Sequence, residues 1–390
     1  MPVHLDADAP PFALAELPRE TLTGMLSPNP DTVVDDVEVT PIHYAWGSPA
    51  TAGLWRVDVT GHDRGRTVSA RYFVKLLRHL SRWPLLHTLP EPSRAVFAQR
   101  RNWRVELDMY EAGIGAVLPP GMRTPVLHHV RCVNEHYLGL WWEFIDVDPT
   151  RWGIGDFART AYLLGRLAAR RAEGKSINES LPEICHLPGP ASGLRTFVQF
   201  RVLAIDVPKL QNPASWRAAP VAAALAEVGE PDLPDDLSRL AERVPVLLDR
   251  LDQLPQTYAH GDASPQNLLM PKNDRSTRVV IDWGLEKLVP IGFDLGQLLI
   301  GLAHADELPA IALSSVEDAI VPAYHQGLLD EGCQLDQSIV REGFVGSLIC
   351  RSALSAIPFP DPAQQPISKK TMENRLRLSR YLVQLAATLD

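Results

Sequence analysis

The stretch His260-Gly261-Asp262-Ala263-Ser264-Pro265-Gln266-Asn267, followed after an apolar hairpin by Ile281-Asp282-Trp283-Gly284, decides how this chain is read. Leu268-Leu269-Met270 and Val279-Val280-Ile281 have the apolar content of short buried strands, and Lys272-Asn273-Asp274-Arg275 between them is turn-forming. Such a hairpin folds Asn267 back toward Asp282 and sets an amide and a carboxylate at one end. A few hard oxygens of this kind suit Mg²⁺, which takes the rest of its octahedron from water and phosphate. Taken singly, an Asp or an Asn is an ordinary turn residue. His260, Asp262, Asn267 and Asp282 together, at fixed spacing beside strand-like runs, form a pattern with a chemical meaning.

That meaning is phosphoryl transfer. In the kinase template an Asp receives the acceptor hydroxyl proton, an Asn five residues later holds a metal ion, and an Asp opening a later triplet bridges metal and phosphates. Asp262, Asn267 and Asp282 occupy those positions, with Asp262 as the catalytic candidate and Asn267 and Asp282 as the metal candidates. His260-Gly261-Asp262 with Asn267 and Ile281-Asp282-Trp283-Gly284 resembles the aminoglycoside phosphotransferase family, kinase-like enzymes that phosphorylate small molecules and carry His-Gly-Asp in place of His-Arg-Asp. The resemblance is specific to the C-terminal half. It implies an α+β, two-lobed protein-kinase-like fold with a strand-rich N-lobe and a mainly helical C-lobe. It further implies ATP, or GTP, with Mg²⁺, and a hydroxyl on a small molecule as acceptor. Within it His260 would pack and hydrogen-bond inside the loop, and Asp294 would stabilise the fold.

The composition is compatible with that class. A chain of 390 residues, 45% hydrophobic and 22% charged, is long enough for two or three domain-sized units and an extensive core. A formal charge of -9 and a pI of about 5.8, with Lys and Arg dispersed, argue against nucleic-acid binding, which needs a clustered basic surface. Cys132, Cys185, Cys333 and Cys350 form no Cys-x-x-Cys pair and no zinc spacing, so reduced, mostly buried thiols are expected. The N-terminus lacks a signal peptide's basic and apolar regions, and no apolar run approaches a membrane span. A soluble cytoplasmic protein without membrane contact is the expectation. The 34 prolines are scattered, as in rigid loops.

Residues 1–146 read as a nucleotide-binding lobe and 147–390 as a helical lobe carrying the catalytic loop and acceptor site. Strands are expected at Val37–Thr40, Leu54–Val59, Ser69–Leu76, Val126–Val133 and Tyr137–Ile145, with a turn at Gly61–Gly65. A helix capped by Ser93 runs to about Glu111, stopped by Gly113, with Val96, Arg100, Trp103, Leu107 and Tyr110 on one stripe. Asp146-Val147-Asp148-Pro149 marks the hinge. Helices follow at Phe157–Ala172, Leu194–Ile205, Leu237–Leu251 and Gln337–Ile357.

On the nucleotide side, Gly47-Ser48-Pro49-Ala50-Thr51-Ala52-Gly53 could cover phosphates with its amides, Ser48 and Thr51 being candidate hydroxyl donors. It is not Gly-x-Gly-x-x-Gly, and a plain β-turn explains it as well. Lys75 lies inside an apolar strand and needs a partner. The kinase template supplies phosphates and a Glu from the next helix, with Glu106 first and Glu111 second in order of preference, against a solvated helix face. Trp141-Trp142-Glu143-Phe144-Ile145 is either a core strand or the wall behind a purine, with the backbone of Glu143, Phe144 and Ile145 facing the base.

A small-molecule acceptor is favoured over a protein because no Ala-Pro-Glu follows and Asp294 comes 12 residues after Asp282, too soon for a peptide-docking loop. From Asp294 to Glu342 the acids Asp294, Asp306, Glu307, Glu317, Asp318, Asp330, Glu331, Asp336 and Glu342 face one base, Arg341. Such a run is either a field for a cationic acceptor, an aminoglycoside-like antibiotic or an amine metabolite, or a solvated surface. The rival readings are a non-catalytic nucleotide-binding pseudokinase acting through protein partners, against which the intact Asp262, Asn267, Asp282 set speaks, and a metal-dependent hydrolase using His260 and Asp262, which lacks further ligands. Neither the acceptor nor the oligomeric state is set by the sequence.

Overall fold

Buried residues alternate with more open ones along Leu54–Gly61, the pattern of a strand with one face on a core. In the computed structural model, which describes residues 12–42, 48–88, 91, 94, 103–148, 151–174, 192–360 and 366–389, the strands are β1 (Val33–Pro41), β2 (Thr51–Asp63), β3 (Arg66–Arg78), β4 (Met122–Arg123), β5 (Leu127–Asn134) and β6 (Tyr137–Glu143). All but β4 form one antiparallel sheet in the order β1-β2-β3-β6-β5. The expected turn at Gly61–Gly65 is tighter than the sequence suggested. β2 continues to Asp63, and Arg64 and Gly65, with φ of 48° and 78°, make the reversal. Positive φ at both central residues matches the strand twist that two-residue hairpins require.

One face of this sheet carries Val57, Val59, Tyr72, Val74, Leu76 and Trp141, covered by Ala15, Leu17 and Leu22 from the preceding segment. The Trp141 indole donates to the Ala15 carbonyl at 2.9 Å, so its buried N–H is satisfied as a core residue's should be. Because side chains alternate along a strand, Lys75, between Val74 and Leu76, points to the opposite face.

Contacts divide the chain into two units, Met1–Leu107 with Thr124–Val147, and Asp108–Arg123 with Asp148–Asp390. The segment 108–123, placed with the first domain on sequence, packs in the second. Its β4 pairs in parallel with β9 (Arg278–Val280), and Arg170 donates to the Leu118 carbonyl at 3.1 Å. The single helix expected from Ser93 to about Glu111 is interrupted: Arg94 is helical, Trp103 and Arg104 form a turn that takes Trp103 off the expected stripe, and a separate helix spans Val105–Glu111, ended near Gly113 at φ 85°. Ser93, Val96 and Arg100 lie outside the described residues, as do Gly47, Pro149 and Cys185. Cys350 is buried as expected, but Cys132 is exposed at the sheet edge.

The second unit is mainly helical. The helices Ile154–Arg170 and Leu313–Asp330 cross at very close range, because a Cβ on Gly165 would lie 2.0 Å from the Tyr324 carbonyl oxygen and one on Gly327 2.1 Å from that of Tyr162. Leu233–Leu251 begins four residues before its expected start, and Gln337–Ser352 passes into a 3-10 turn instead of continuing to Ile357. The expected helix from Leu194 is α-helical only over Ser192–Phe197 and becomes a π-helix over Val198–Asp206. Small β pieces hold the motif between these helices: β7 (Gln256–Ala259) pairs with β10 (Lys287–Pro290), and β8 (Leu268–Leu269) forms the short hairpin with β9. The strand-rich first unit and helical second unit are the α+β architecture expected from the sequence. No described helix is long and apolar enough to cross a membrane.

Candidate active site

The loop that carries Asp262 leaves β7 at Ala259 and is fixed by groups that grip its backbone. His260 N–H donates to Asp294 Oδ2 at 2.9 Å and Gly261 N–H to Asp294 Oδ1 at 3.0 Å. Both oxygens of one carboxylate are thus spent on consecutive amides. Burial pushes the Asp294 carboxyl above the usual carboxylate range, while the His260 and Gly261 amides pull the other way. Fold stabilisation is what this geometry performs.

His260 is fully buried, with its ring 4.7 Å from that of Trp283. Its Nε2 donates to the Ile281 carbonyl at 2.9 Å and its Nδ1 accepts from the Asp262 amide at 3.2 Å. Those partners fix the Nε2–H tautomer and occupy both nitrogens, which excludes the hydrolase reading in which His260 binds a metal. Gly261 stands at φ 86°, and a Cβ there would lie 1.8 Å from the Leu285 carbonyl oxygen. No side chain fits that position, so the loop reads His-Gly-Asp for a steric reason.

Asp262 is held on both carboxylate oxygens yet keeps 32% of its side-chain surface open. Asn267 Nδ2 donates to Asp262 Oδ2 at 3.1 Å and to its carbonyl at 2.9 Å, and Arg351 Nη2 reaches Oδ1 at 3.2 Å. With its amide nitrogen committed, Asn267 turns Oδ1 away from Asp262 as a hard, neutral donor. Its backbone carbonyl accepts from Ile281 N at 3.0 Å, which fixes Asp282 one residue further on. Asp282 adopts φ 57°, ψ 65°, an uncommon conformation for a residue with a side chain, and opens the 3-10 turn Trp283–Leu285. Left-handed backbone in a non-glycine residue costs about 1–3 kcal/mol and persists where surrounding structure imposes it. One amide oxygen and one carboxylate are a donor set that fits Mg²⁺ with phosphate and water completing the shell. Below the turn, the Arg171–Glu286 ion pair at 2.6 Å is nearly inaccessible, and the guanidinium faces the Trp283 ring at 5.9 Å.

In the first unit the structure pairs Lys75 with Glu106. Nζ donates to Oε2 at 2.5 Å with side chains 8% and 12% exposed, so Glu106 is not on a solvated helix face. Glu111 is exposed. The turn from Ser48 is braced by Arg78, whose N–H donates to the Ala50 carbonyl at 2.7 Å and whose Nε donates to that of Pro49 at 2.9 Å. Ser48 is half-buried, but Thr51 is 3% exposed at the start of β2, so its hydroxyl does not face a ligand from solvent. Glu143 ends β6, and its N–H is already committed to the Val126 carbonyl at 2.7 Å, which removes that donor from purine recognition. Phe144 and Ile145 lie beyond the strand, and the Phe144 ring sits 5.3 Å from the Arg71 guanidinium.

The acidic run proves to be largely internal wiring. Glu331 bonds Arg166 and Arg170, Glu317 bonds Arg341, Glu342 bonds Arg250, Asp330 accepts from Tyr162, and Asp336 caps its own helix. The arginines offset the charge of Glu331, Glu317 and Glu342, part of what composition alone had suggested as a cation-attracting field. Sequence reading missed Arg351 altogether.

Comparison with known proteins locates the match in the same part of the chain. A family model described as the phosphotransferase enzyme family matches residues 187–331. No curated protein matches the chain. Among solved structures, a choline kinase from Cryptosporidium parvum Iowa II is 13% identical, with 90% of each chain covered and a TM-score of 0.44. A putative aminoglycoside phosphotransferase from Ralstonia eutropha JMP134 is 11% identical, with 90% of this chain and 93% of that one covered and a TM-score of 0.45. The aminoglycoside phosphotransferase APH(3'')-Id from Streptomyces rimosus is 15% identical, with 80% and 92% covered and a TM-score of 0.40. The stretch that is similar to the phosphotransferase enzyme family, residues 187–331, takes in His260, Asp262, Asn267, Asp282 and Asp294.

Proposed function

We propose that this protein transfers the γ-phosphoryl group of ATP, with Mg²⁺, to a hydroxyl of a small molecule. The observation that carries the reading is Asp262, a carboxylate anchored on both oxygens by Asn267 and Arg351 yet open to solvent on one side. A group so placed can orient an incoming hydroxyl and accept its proton. Asn267 Oδ1 and the Asp282 carboxylate would hold the metal, and Lys75, oriented by Glu106, would meet nucleotide phosphate. Ser48 and the backbone at Phe144 and Ile145 complete the nucleotide reading, without Thr51 or the Glu143 amide. When bound, Mg²⁺ supplies positive charge against the phosphate oxygens. In a loose transition state the protein's part is mainly positioning, which the gripped loop provides.

A small-molecule acceptor is supported by the short path from Asp282 to Asp294, filled by the turn Trp283–Leu285 and by β10, with no length left for a peptide platform. With so many of the acids already paired, the acceptor need not carry an amine, and both antibiotics and metabolites belong in the screen. The pseudokinase reading is disfavoured because Asp262, Asn267 and Asp282 are all present and held.

The test is ATP turnover by purified protein against amino sugars, nucleosides, peptide antibiotics and small alcohols. Asp262→Asn is expected to lower turnover about 10²–10⁴-fold while leaving Mg²⁺-nucleotide affinity unchanged, and Asp282→Ala to weaken that affinity directly. Full turnover in the Asp262 variant, or equal loss of binding and turnover, would sink the assignment.

A further inference from the structure

Arg351 stands one residue from the end of the helix Gln337–Ser352, 89 residues from the loop it touches. Its guanidinium makes two contacts with consecutive residues: Nη1 donates to the Gly261 carbonyl at 2.5 Å and Nη2 to Asp262 Oδ1 at 3.2 Å. It lies between aromatic rings, with Phe197 at 5.7 Å and Phe293 at 5.4 Å. Phe293 directly precedes Asp294, the carboxylate that takes the Gly261 N–H. The peptide units flanking Gly261 are therefore clamped from both sides, N–H by a buried anion and C=O by a buried cation.

A buried guanidinium is a costly way to fill space. Burial holds its pKa below the ordinary arginine value, with Asp262 and Asp294 opposing that shift. An apolar side chain of similar volume often serves the core as well or better. What such a side chain lacks is a planar fork able to grip a backbone carbonyl and a carboxylate oxygen in one fixed geometry. Oδ2 of Asp262 belongs to Asn267, so without Arg351 the carboxylate would be tethered through one oxygen and free to turn about it.

We infer that Arg351 is a positioning residue for the proposed transfer, fixing the rotamer of Asp262 so that its open lone pairs meet the acceptor hydroxyl. The inference rests on the phosphotransfer reading but names a residue outside the motif that carries it. Arg351 acts through Asp262 and does not itself touch the transferred group.

Arg351→Met tests this directly, because it keeps the volume and removes the fork. Expected are a melting temperature equal to or above that of the parent, unchanged affinity for a fluorescent ATP analogue with Mg²⁺, and a kcat lowered about 100-fold with the nucleotide KM little changed, the scale expected when a reacting group is misplaced by about an ångström. Millimolar methylguanidinium should restore part of the turnover, and Arg351→Lys, able to reach one acceptor at a time, should fall between parent and Met variant. If Arg351→Met does not fold, Arg351→Lys and Phe197→Leu, which loosens the aromatic sandwich, carry the same kinetic test. Turnover within twofold of the parent, or nucleotide affinity, stability and turnover falling together without guanidinium rescue, would overturn the role. Crystals of the variant give a readout that needs no acceptor. An Asp262 rotamer unchanged by the substitution refutes the inference even if the parent transfers phosphate, whereas a parent without any acceptor and a displaced rotamer faults the functional reading alone.

Discussion

Two segments bear on the proposed chemistry, the turn at Ser48 with the start of β2 and the loop at Asp262, and each contains a glycine whose missing side chain is used differently. At Gly53 an added Cβ would meet the Trp55 ring at 2.2 Å, whereas at Gly261 it would meet the Leu285 backbone oxygen at 1.8 Å with φ at 86°. The first clash is with the ring of a core side chain, on ordinary strand backbone. The second is with main chain, at a left-handed residue. The turn at Ser48 is held by the contacts of Arg78 and by its own β-turn, while the loop at Asp262 is gripped by Asp294, Arg351, His260 and Asn267.

The largest expected effect follows from that contrast. Gly261→Ala should cost about 3 kcal/mol or more, since left-handed strain alone is worth about 1–3 kcal/mol and the clash adds to it. Gly53→Ala should cost about 1–3 kcal/mol, the usual range for overpacking. Chemical denaturation of both variants compares them, and equal costs would erase the distinction between the two segments.

A smaller effect probes the first unit by itself. Lys75→Met and Glu106→Gln should each destabilise, and the double variant should recover about 0.5–3 kcal/mol relative to the sum, the range for residues in direct contact. Plain additivity in thermal unfolding would mean the ion pair is not energetically coupled.

At pH 7 no effect is expected from the helix that Asp294 opens; there the effect appears only as pH falls. His304, at its far end, is held down to about 3 by burial, reinforced by the charges of Arg375 and Arg351, and its Nε2 has no partner among the described residues. Unfolded, a histidine titrates near 6.5. Between those values the unfolded chain binds a proton that the folded one refuses, so stability falls as pH drops from about 6.5 toward 3, by up to about 1.4 kcal/mol per pH unit. Urea midpoints at pH 7 and pH 5 should therefore differ more in the parent than in His304→Gln. The same pH dependence in both would remove His304 as its source.

What could be read in advance depended on how far apart the partners lie in the chain. The loop was legible because Asp262, Asn267, Asp282 and Asp294 fall within a single short run. Lys75 was found as a charged residue in an apolar strand, and Glu106 through the order strand then helix. Arg351 gave no such signal. Every residue from Gly343 to Ser352 is buried, so that helix has no polar face against which a functional side chain stands out. The acids after Asp294 misled for a related reason: Arg166, Arg170 and Arg250, which bond several of them, come from helices far back in the chain. Thr51 and the Glu143 amide were judged by position alone, and sheet packing and pairing had already claimed them.

The close crossing of Ile154–Arg170 and Leu313–Asp330 has a bearing on tolerance to change far from any chemistry. Tyr324, whose carbonyl lies against Gly165, also receives the Gly292 amide on its hydroxyl at 3.1 Å, and Asp294 follows two residues later. Tyr324 thus joins the crossing of two helices to the segment that leads into Asp294. A single methyl group at Gly165 or Gly327 would press on that crossing with no residue of the motif altered.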